Sequence, residues 1–271
     1  MSRISDAFQV AATAGRMAFM PFITAGDPST ETTAAVLKGL GDANVDLIEL
    51  GFPYSDPIAD GPVIQASYTR ALNAGITVEA IFDMMQSLKE ERIPPTLAMV
   101  SFAIIFRYGT EKFVARAAEV GFSGLIVPDL PADEAVETAA FARSKGLDLV
   151  QLIAPTTTEK RTQEILDASG GFVYCVSVAG TTGVRKELPP ELIQQLRKLR
   201  TSTTLPLAVG FGISGPDQVA ALEGVADGVI VGSAIVRLMA EADSPEAASV
   251  AVRDFSKSMM AAVTAVKPSS R

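Results

Sequence analysis

The sequence predicts an α/β fold, a closed (β/α)8 barrel of parallel strands inside a ring of helices, on three observations. Apolar runs of strand length alternate with longer segments whose apolar residues recur at helical spacing, eight of each. The strand-like runs are rich in Val, Ile and Leu with little polar alternation, as expected of strands covered on both faces. The length, 271 residues, is close to the ~250 typical of eight such units. An open, doubly wound parallel sheet also accommodates the alternation.

Taken in order, an amphipathic segment at residues 4–14 comes first and is placed as an extra N-terminal helix plugging the bottom of the barrel. Strands are expected at 17–23, 46–51, 96–102, 124–127, 148–153, 172–176, 207–209 and 228–231. Helices are expected at 30–44, 78–91, 110–120, 132–145, 158–168, 190–200, 216–223 and 244–266. Gly121 and Gly146 follow apolar-periodic segments and read as left-handed helix ends. Ser214 and Ser244 precede Pro-containing helix starts and read as N-caps. No linker rich in Pro, Gly or Ser divides the chain, so residues 1–271 read as one domain.

Composition removes whole classes of chemistry. There is no His, which excludes a Ser-His-Asp triad, a Cys-His pair and an imidazole metal site, so no metal is expected and proton transfer falls to carboxylates, Tyr, Lys or the lone Cys. With 23 Lys+Arg against 31 Asp+Glu and a net charge of -8, the chain has no basic footprint for nucleic acid. The longest nearly uninterrupted apolar run, residues 97–106, is about half of the ~20 residues that span a membrane. Asp6 and Gln9, ahead of Thr13 and Arg16, interrupt any secretory signal, and the single Cys175 fits a reducing compartment, so a cytoplasmic location is expected. Cys175 reads as a small core residue, since nothing basic adjoins it.

In a barrel, function collects on the loops after the strands. Glu49 lies near the C-terminal end of the second strand, on the face opposite Ile48 and Leu50. A carboxylate among apolar neighbours is unfavourable unless used or paired, and partial burial moves it toward a useful acid–base range. The following loop, with three prolines and both Asp56 and Asp60, is stiff enough to present a second carboxylate to the first. The competing reading pairs Glu49 with a Lys or Arg and leaves the aspartates to shape turns.

Near the C-terminus, Gly210-Phe211-Gly212-Ile213-Ser214-Gly215 and Gly232-Ser233-Ala234 each lead into a helix after a strand. Such turns let backbone N–H groups and a helix N-terminus hold a phosphate, or simply pack tightly. Residues 179–188, with glycines at 180 and 183, read either as a lid or as an ordinary surface loop. Phe22, Ile126, Ile153, Tyr174 and Phe211, near strand ends, wall an apolar pocket or belong to the barrel core.

The run Glu49-Leu50-Gly51-Phe52-Pro53-Tyr54-Ser55-Asp56-Pro57-Ile58-Ala59-Asp60-Gly61-Pro62 closely resembles the signature of tryptophan synthase alpha subunits. The resemblance continues through Pro21-Phe22-Ile23-Thr24-Ala25-Gly26-Asp27-Pro28, Val127-Pro128-Asp129-Leu130-Pro131, Gly180-Thr181-Thr182-Gly183 and Gly210-Phe211-Gly212-Ile213, across almost the whole chain. It implies a catalytic TIM barrel that cleaves indole-3-glycerol phosphate by a retro-aldol reaction to indole and glyceraldehyde 3-phosphate. It also implies a tryptophan synthase beta subunit as partner in an alpha2beta2 complex, with pyridoxal phosphate in that partner and no cofactor in this chain.

Carried onto the matching positions, the resemblance implies that Glu49 and Asp60 are catalytic. Phe22, Ile126, Ile153, Tyr174, Thr182 and Phe211 would bind the substrate, Thr182 from the lid. Gly183, Gly212, Ile213, Gly232 and Ser233 would hold the phosphate, and Pro53 and Asp56 would face the partner. One departure stands out: the family's Tyr-x-Asn at the end of strand 3 is Ser101-Phe102-Ala103 here. A stand-alone lyase, a mainly regulatory alpha-type binding subunit and a barrel enzyme for another sugar phosphate are the alternatives.

Overall fold

Strands β1 (Ala18–Thr24), β2 (Ile48–Gly51), β3 (Thr96–Met99), β4 (Gly124–Ile126), β5 (Asp148–Ile153), β6 (Val173–Val176), β7 (Leu207–Gly210) and β8 (Gly228–Val231) follow one another around a closed parallel barrel. β8 pairs back to β1, with Ala18 opposite Gly228, and so excludes the open sheet. This computed structural model describes residues 2–57, 60–130, 132–176, 190–210 and 212–269, side chains 132 and 133 excepted.

The helices are α1 (Arg3–Thr13), α2 (Thr30–Asp42), α3 (Pro62–Asn73), α4 (Val78–Ser87), α5 (Phe102–Tyr108), α6 (Thr110–Glu119), α7 (Ala132–Ser144), α8 (Glu159–Ala168), α9 (Pro190–Ser202), α10 (Ser233–Glu241) and α11 (Pro245–Thr264). Between β7 and β8 the connection is a 3₁₀ helix, Pro216–Leu222, where an α-helix is expected from the sequence. Ser244 caps α11 by accepting from the Ala247 N–H, and Gly121 and Gly146 end their helices at positive φ. Ser214 is no cap: Gly215 holds that place, and the Ser214 N–H and hydroxyl both engage Gln218.

Three of the described helices, α3, α5 and α10, fall outside the expected ranges. α3 opens at Gly61-Pro62, a proline-led start ahead of the anticipated helix at α4. Strand 3 ends at Met99 instead of residue 102, because the Ser101 hydroxyl accepts from the Ala103 N–H and starts α5.

Alternation along each strand sorts side chains into two apolar layers. Ile48, Leu50, Ile153 and Cys175 pack between strands and helices, whereas Met20, Phe22, Ile126, Val150 and Tyr174 fill the interior. Cys175 is buried, and burial pushes its thiol up to about 12, in line with a core role. α1 closes the bottom: Ile4, Phe8 and Ala11 join the interior layer, with the Phe8 ring 5.4 Å from Phe172. Ile4 fits there because Gly124 lacks a Cβ, which would stand 2.7 Å from the Ile4 Cδ1.

Buried carboxylates at this bottom end are paired. Asp46, just ahead of β2, takes both Arg16 guanidinium nitrogens at 2.8 Å and the Phe19 N–H at 2.9 Å. Asp227, just ahead of β8, accepts from Arg200 and from the Leu207 N–H, each at 2.8 Å. Asp148, at the start of β5, accepts from the Ser2 hydroxyl. Among the described residues no helix is long and apolar enough to cross a membrane.

Candidate active site

Glu49 points into the barrel from β2, level with Phe22 on β1 and Leu97 on β3. It is fully buried, and neither carboxylate oxygen has a hydrogen-bond partner among the described residues. Among the described residues no Lys or Arg pairs with it, in contrast to the alternative reading. Burial alone holds the group well above the ordinary carboxylate range, which favours its protonated form.

The second carboxylate arrives by a different route. Asp60 ends the loop after β2, immediately before Gly61, the N-cap of α3. α3 is tied over the mouth at two points: Thr24 and Ser67 share a hydroxyl hydrogen bond at 2.6 Å, and Arg70 grips buried Asp27 at 2.9 and 2.7 Å. Gln65 on the same helix donates to the Asp60 carbonyl at 2.8 Å, fixing the loop to the helix start. The Asp60 side chain is partly buried, which raises it to about 6, while a 3.4 Å contact from the Tyr54 hydroxyl pulls the other way.

Between the two carboxyl groups lie aromatic and apolar side chains. Phe22 and Tyr68 crowd over Gly51, where an added Cβ would stand 2.5 Å from the Phe22 ring and 2.8 Å from the Tyr68 hydroxyl. Tyr174 leans over Gly210, whose missing Cβ would stand 2.4 Å from its ring. These glycines face inward at the ends of β2 and β7, so the aromatic wall depends on their lack of side chains. A small pocket of ≈ 40 Å³ opens beside Asp60, lined also by Tyr54, Tyr68, Met99, Ser101 and Leu152.

The turns after β7 and β8 supply the polar end. Gly212 has φ +89°, a left-handed conformation that suits glycine, and Gln218 braces the turn by donating to its carbonyl at 3.1 Å. Ile213 is buried and anchors the turn in the outer layer. Gly232 sits against the Phe22 ring and is the N-cap of α10, which has no side-chain cap; Ser233 is its first residue. The N–H groups of the first turn of α10 therefore lack intrahelical partners and carry the partial positive charge of a helix N-terminus.

The structure brings together Glu49, Asp60, Phe22, Ile126, Tyr174, Gly232 and Ser233 at one end of the barrel. Ile153 is a correction: it faces outward, and its neighbour Leu152 is the β5 residue at the pocket, because strand alternation puts residues 150 and 152 inside. Thr182, Gly183, Phe211 and the proposed lid at 179–188 lie outside the described residues. Pro53 is buried beside a groove of ≈ 460 Å³ shared with Ile76, Ile81, Ile104 and Arg107, and Asp56 is exposed.

Tyr54, Tyr68, Met99 and Leu152 are site residues that the sequence reading passes over. Tyr68 had a usable signal: Ile64, Ser67, Tyr68 and Ala71 form a buried helical stripe. Where the family has Tyr-x-Asn, Ser101 donates to Asp129 at 2.6 Å and the Phe102 N–H donates to the same carboxylate at 2.7 Å. The β3 and β4 loops are thus latched together through the Ser101 hydroxyl and the Phe102 N–H.

A buried carboxyl group without a partner among the described residues, at the C-terminal end of a (β/α)8 barrel and beside a second carboxylate, is the pattern of an acid–base site. The sequence model for the tryptophan synthase alpha chain matches residues 8–264. A tryptophan synthase alpha chain from Rhodopirellula baltica is 46% identical, covering 98% of this chain and 100% of the relative. One from Picosynechococcus is 44% identical, covering 97% and 100%. The crystal structure of the tryptophan synthase alpha chain from Legionella pneumophila superposes with a TM-score of 0.86 at 33% identity, covering 97% of both chains. This chain belongs to the tryptophan synthase alpha chain family, and it is a lyase of tryptophan biosynthesis.

Proposed function

We propose that this barrel mouth cleaves indole-3-glycerol phosphate to indole and glyceraldehyde 3-phosphate, with Glu49 as the proton-transferring group. The observation that carries the reading is the buried carboxyl of Glu49 at the end of β2, which has no hydrogen-bond partner among the described residues. Protonated at rest, it gives its proton to indole C3. As the bond between C3 and the glycerol carbon breaks, the resulting carboxylate takes the proton of the adjacent hydroxyl, which becomes the aldehyde. One proton enters the ring, one leaves the side chain, and Glu49 ends as it began.

Protonation at C3 places positive charge on the ring nitrogen. Asp60, ionised above about 6, accepts from that N–H and stabilises the charge. Phe22, Ile126, Tyr174 and Phe211 enclose the indole, and Thr182 closes over it. The phosphate rests on the turns at Gly183, Gly212, Ile213, Gly232 and Ser233, where backbone donors hold the anion despite a net charge of -8.

Pro53 and Asp56, together with the groove beside Pro53, face the beta subunit in an alpha2beta2 assembly. Pyridoxal phosphate resides in that partner, this chain works without a cofactor or metal, and the assembly is cytoplasmic. The test is indole release by wild type and Glu49→Gln, with and without the beta subunit. Loss of turnover with retained substrate binding is expected for Glu49→Gln, and unchanged turnover would overturn the assignment.

A further inference from the structure

The loop carrying Asp60 also carries Tyr54, and the two side chains meet: the Tyr54 hydroxyl donates to Asp60 at 3.4 Å. The Tyr54 ring packs on Tyr68 of α3 at a centroid distance of 5.5 Å, tilted by 59°. Tyr68 is itself buried, and its helix is tied to β1 and the following loop through Ser67 and Arg70. All three residues line the same pocket. A rigid helix therefore holds one phenol, that phenol holds a second, and the second reaches the carboxylate.

We propose that Tyr54 is a positioning residue for Asp60, donating a hydrogen bond that aims the carboxylate into the pocket and favours its ionised form, while Tyr68 keeps the Tyr54 ring in place. A separation of 3.4 Å is longer than the usual O–H···O contact of about 2.7–2.8 Å. Hydrogen bonds of this kind tighten when substrate fills a site. Toward the Asp60 carboxylate the Tyr54 hydroxyl is the donor, because its own burial and the charges of Asp60, Asp129 and Asp56 hold the phenol proton on. Among the described residues, the other titratable groups facing Asp60 are Tyr68 from α3 and Tyr174 from β6, with Glu49 on β2 facing both phenols. Tyr54 is the side chain whose hydrogen bond opposes the effect of burial on Asp60.

The inference rests on the reading of Asp60 as a carboxylate that must be ionised for catalysis, and two measurements keep them separable. The first is a carboxyl-carbon NMR titration of Asp60 in the full-length protein, for wild type, Tyr54→Phe and Tyr68→Phe. Tyr54→Phe is expected to raise the Asp60 midpoint by about one unit, the scale of one hydrogen bond to a charged group. Tyr68→Phe keeps the ring and leaves the midpoint where it is. The second is the pH profile of kcat/KM, whose acid limb moves up with the midpoint in Tyr54→Phe. That shift lowers kcat/KM about tenfold below the limb and little above it.

A purely structural role for Tyr54 would lower the rate at every pH and leave the limb fixed. An unmoved Asp60 midpoint in Tyr54→Phe, with circular dichroism unchanged, would overturn the proposal, as would an equal shift in Tyr68→Phe. A shifted midpoint with an unshifted limb would uphold the link from Tyr54 to Asp60 and overturn the catalytic role of Asp60.

Discussion

Apart from Asp27, which Arg70 grips in tying α3 over the mouth, the two ends of the barrel treat buried carboxylates in opposite ways. At the bottom, Asp46 and Asp227 are each held by a guanidinium and a backbone N–H. At the top, Glu49 is buried with no partner among the described residues, and Asp60 has one long contact from a phenol. The same residue chemistry therefore serves two ends: paired groups lock strand ends together, and unpaired ones retain the freedom to exchange protons. Leaving a buried carboxyl unpaired works against stability, so its position among the strand ends that carry function is informative.

The largest effect that separates the two ends is on turnover. Glu49→Gln is expected to lower kcat for indole release by roughly 10²–10⁴-fold, the range of general acid–base catalysis, while the fold remains intact. Asp60→Asn follows with a loss of roughly 10²–10³-fold, typical of removing a charge-stabilising group. A small loss in either variant would erase the distinction between the ends.

Breaking a bottom pair has the converse signature. Arg16→Met strands the buried Asp46 carboxylate and is expected to reduce stability by about 3–5 kcal/mol, measured by urea denaturation, while the folded fraction keeps near-normal kcat. A stable variant with a damaged active site would contradict the separation. Gly210→Ala, at the top, forces Tyr174 to move because the new Cβ would stand 2.4 Å from its ring. That overpacking is expected to destabilise by about 1–3 kcal/mol and to raise KM, as steady-state kinetics would register.

pH sharpens the contrast further. Asp60 must be ionised and Glu49 protonated, so kcat/KM is expected to fall on the acid side through about 6 and on the alkaline side through the raised Glu49 value. Stability carries the same imprint. As pH rises above the ordinary carboxyl range, the unfolded chain releases the Glu49 proton before the folded chain does, so stability declines until the folded value is passed. Glu49→Gln is expected to flatten that decline in denaturation curves taken across the range.

Much of the fold is legible in the sequence, where eight strand-length apolar runs alternate with helical segments. The spacing of Glu49 between Ile48 and Leu50 already put the carboxyl on the face opposite theirs, and in the structure those two pack in the outer layer. Local pattern failed where tertiary contacts decide. The outward turn of Ile153 depends on the register of β5, which an apolar run with little alternation does not specify. The roles of Tyr54 and Tyr68 require knowing that α3 folds across the mouth, held by the pairs Thr24–Ser67 and Asp27–Arg70, which join positions 43 residues apart. The latch from Ser101 to Asp129 is likewise invisible to periodicity, since it spans two loops.

Glu49 is expected to stand protonated in the resting enzyme, ready to give its proton to the substrate. An infrared difference spectrum between wild type and Glu49→Gln at neutral pH addresses it directly. A carboxylic-acid carbonyl band present in wild type and missing from the variant is the result expected here. A band from an ionised carboxylate in its place would contradict the account, because a Glu49 already ionised has no proton to deliver to indole C3.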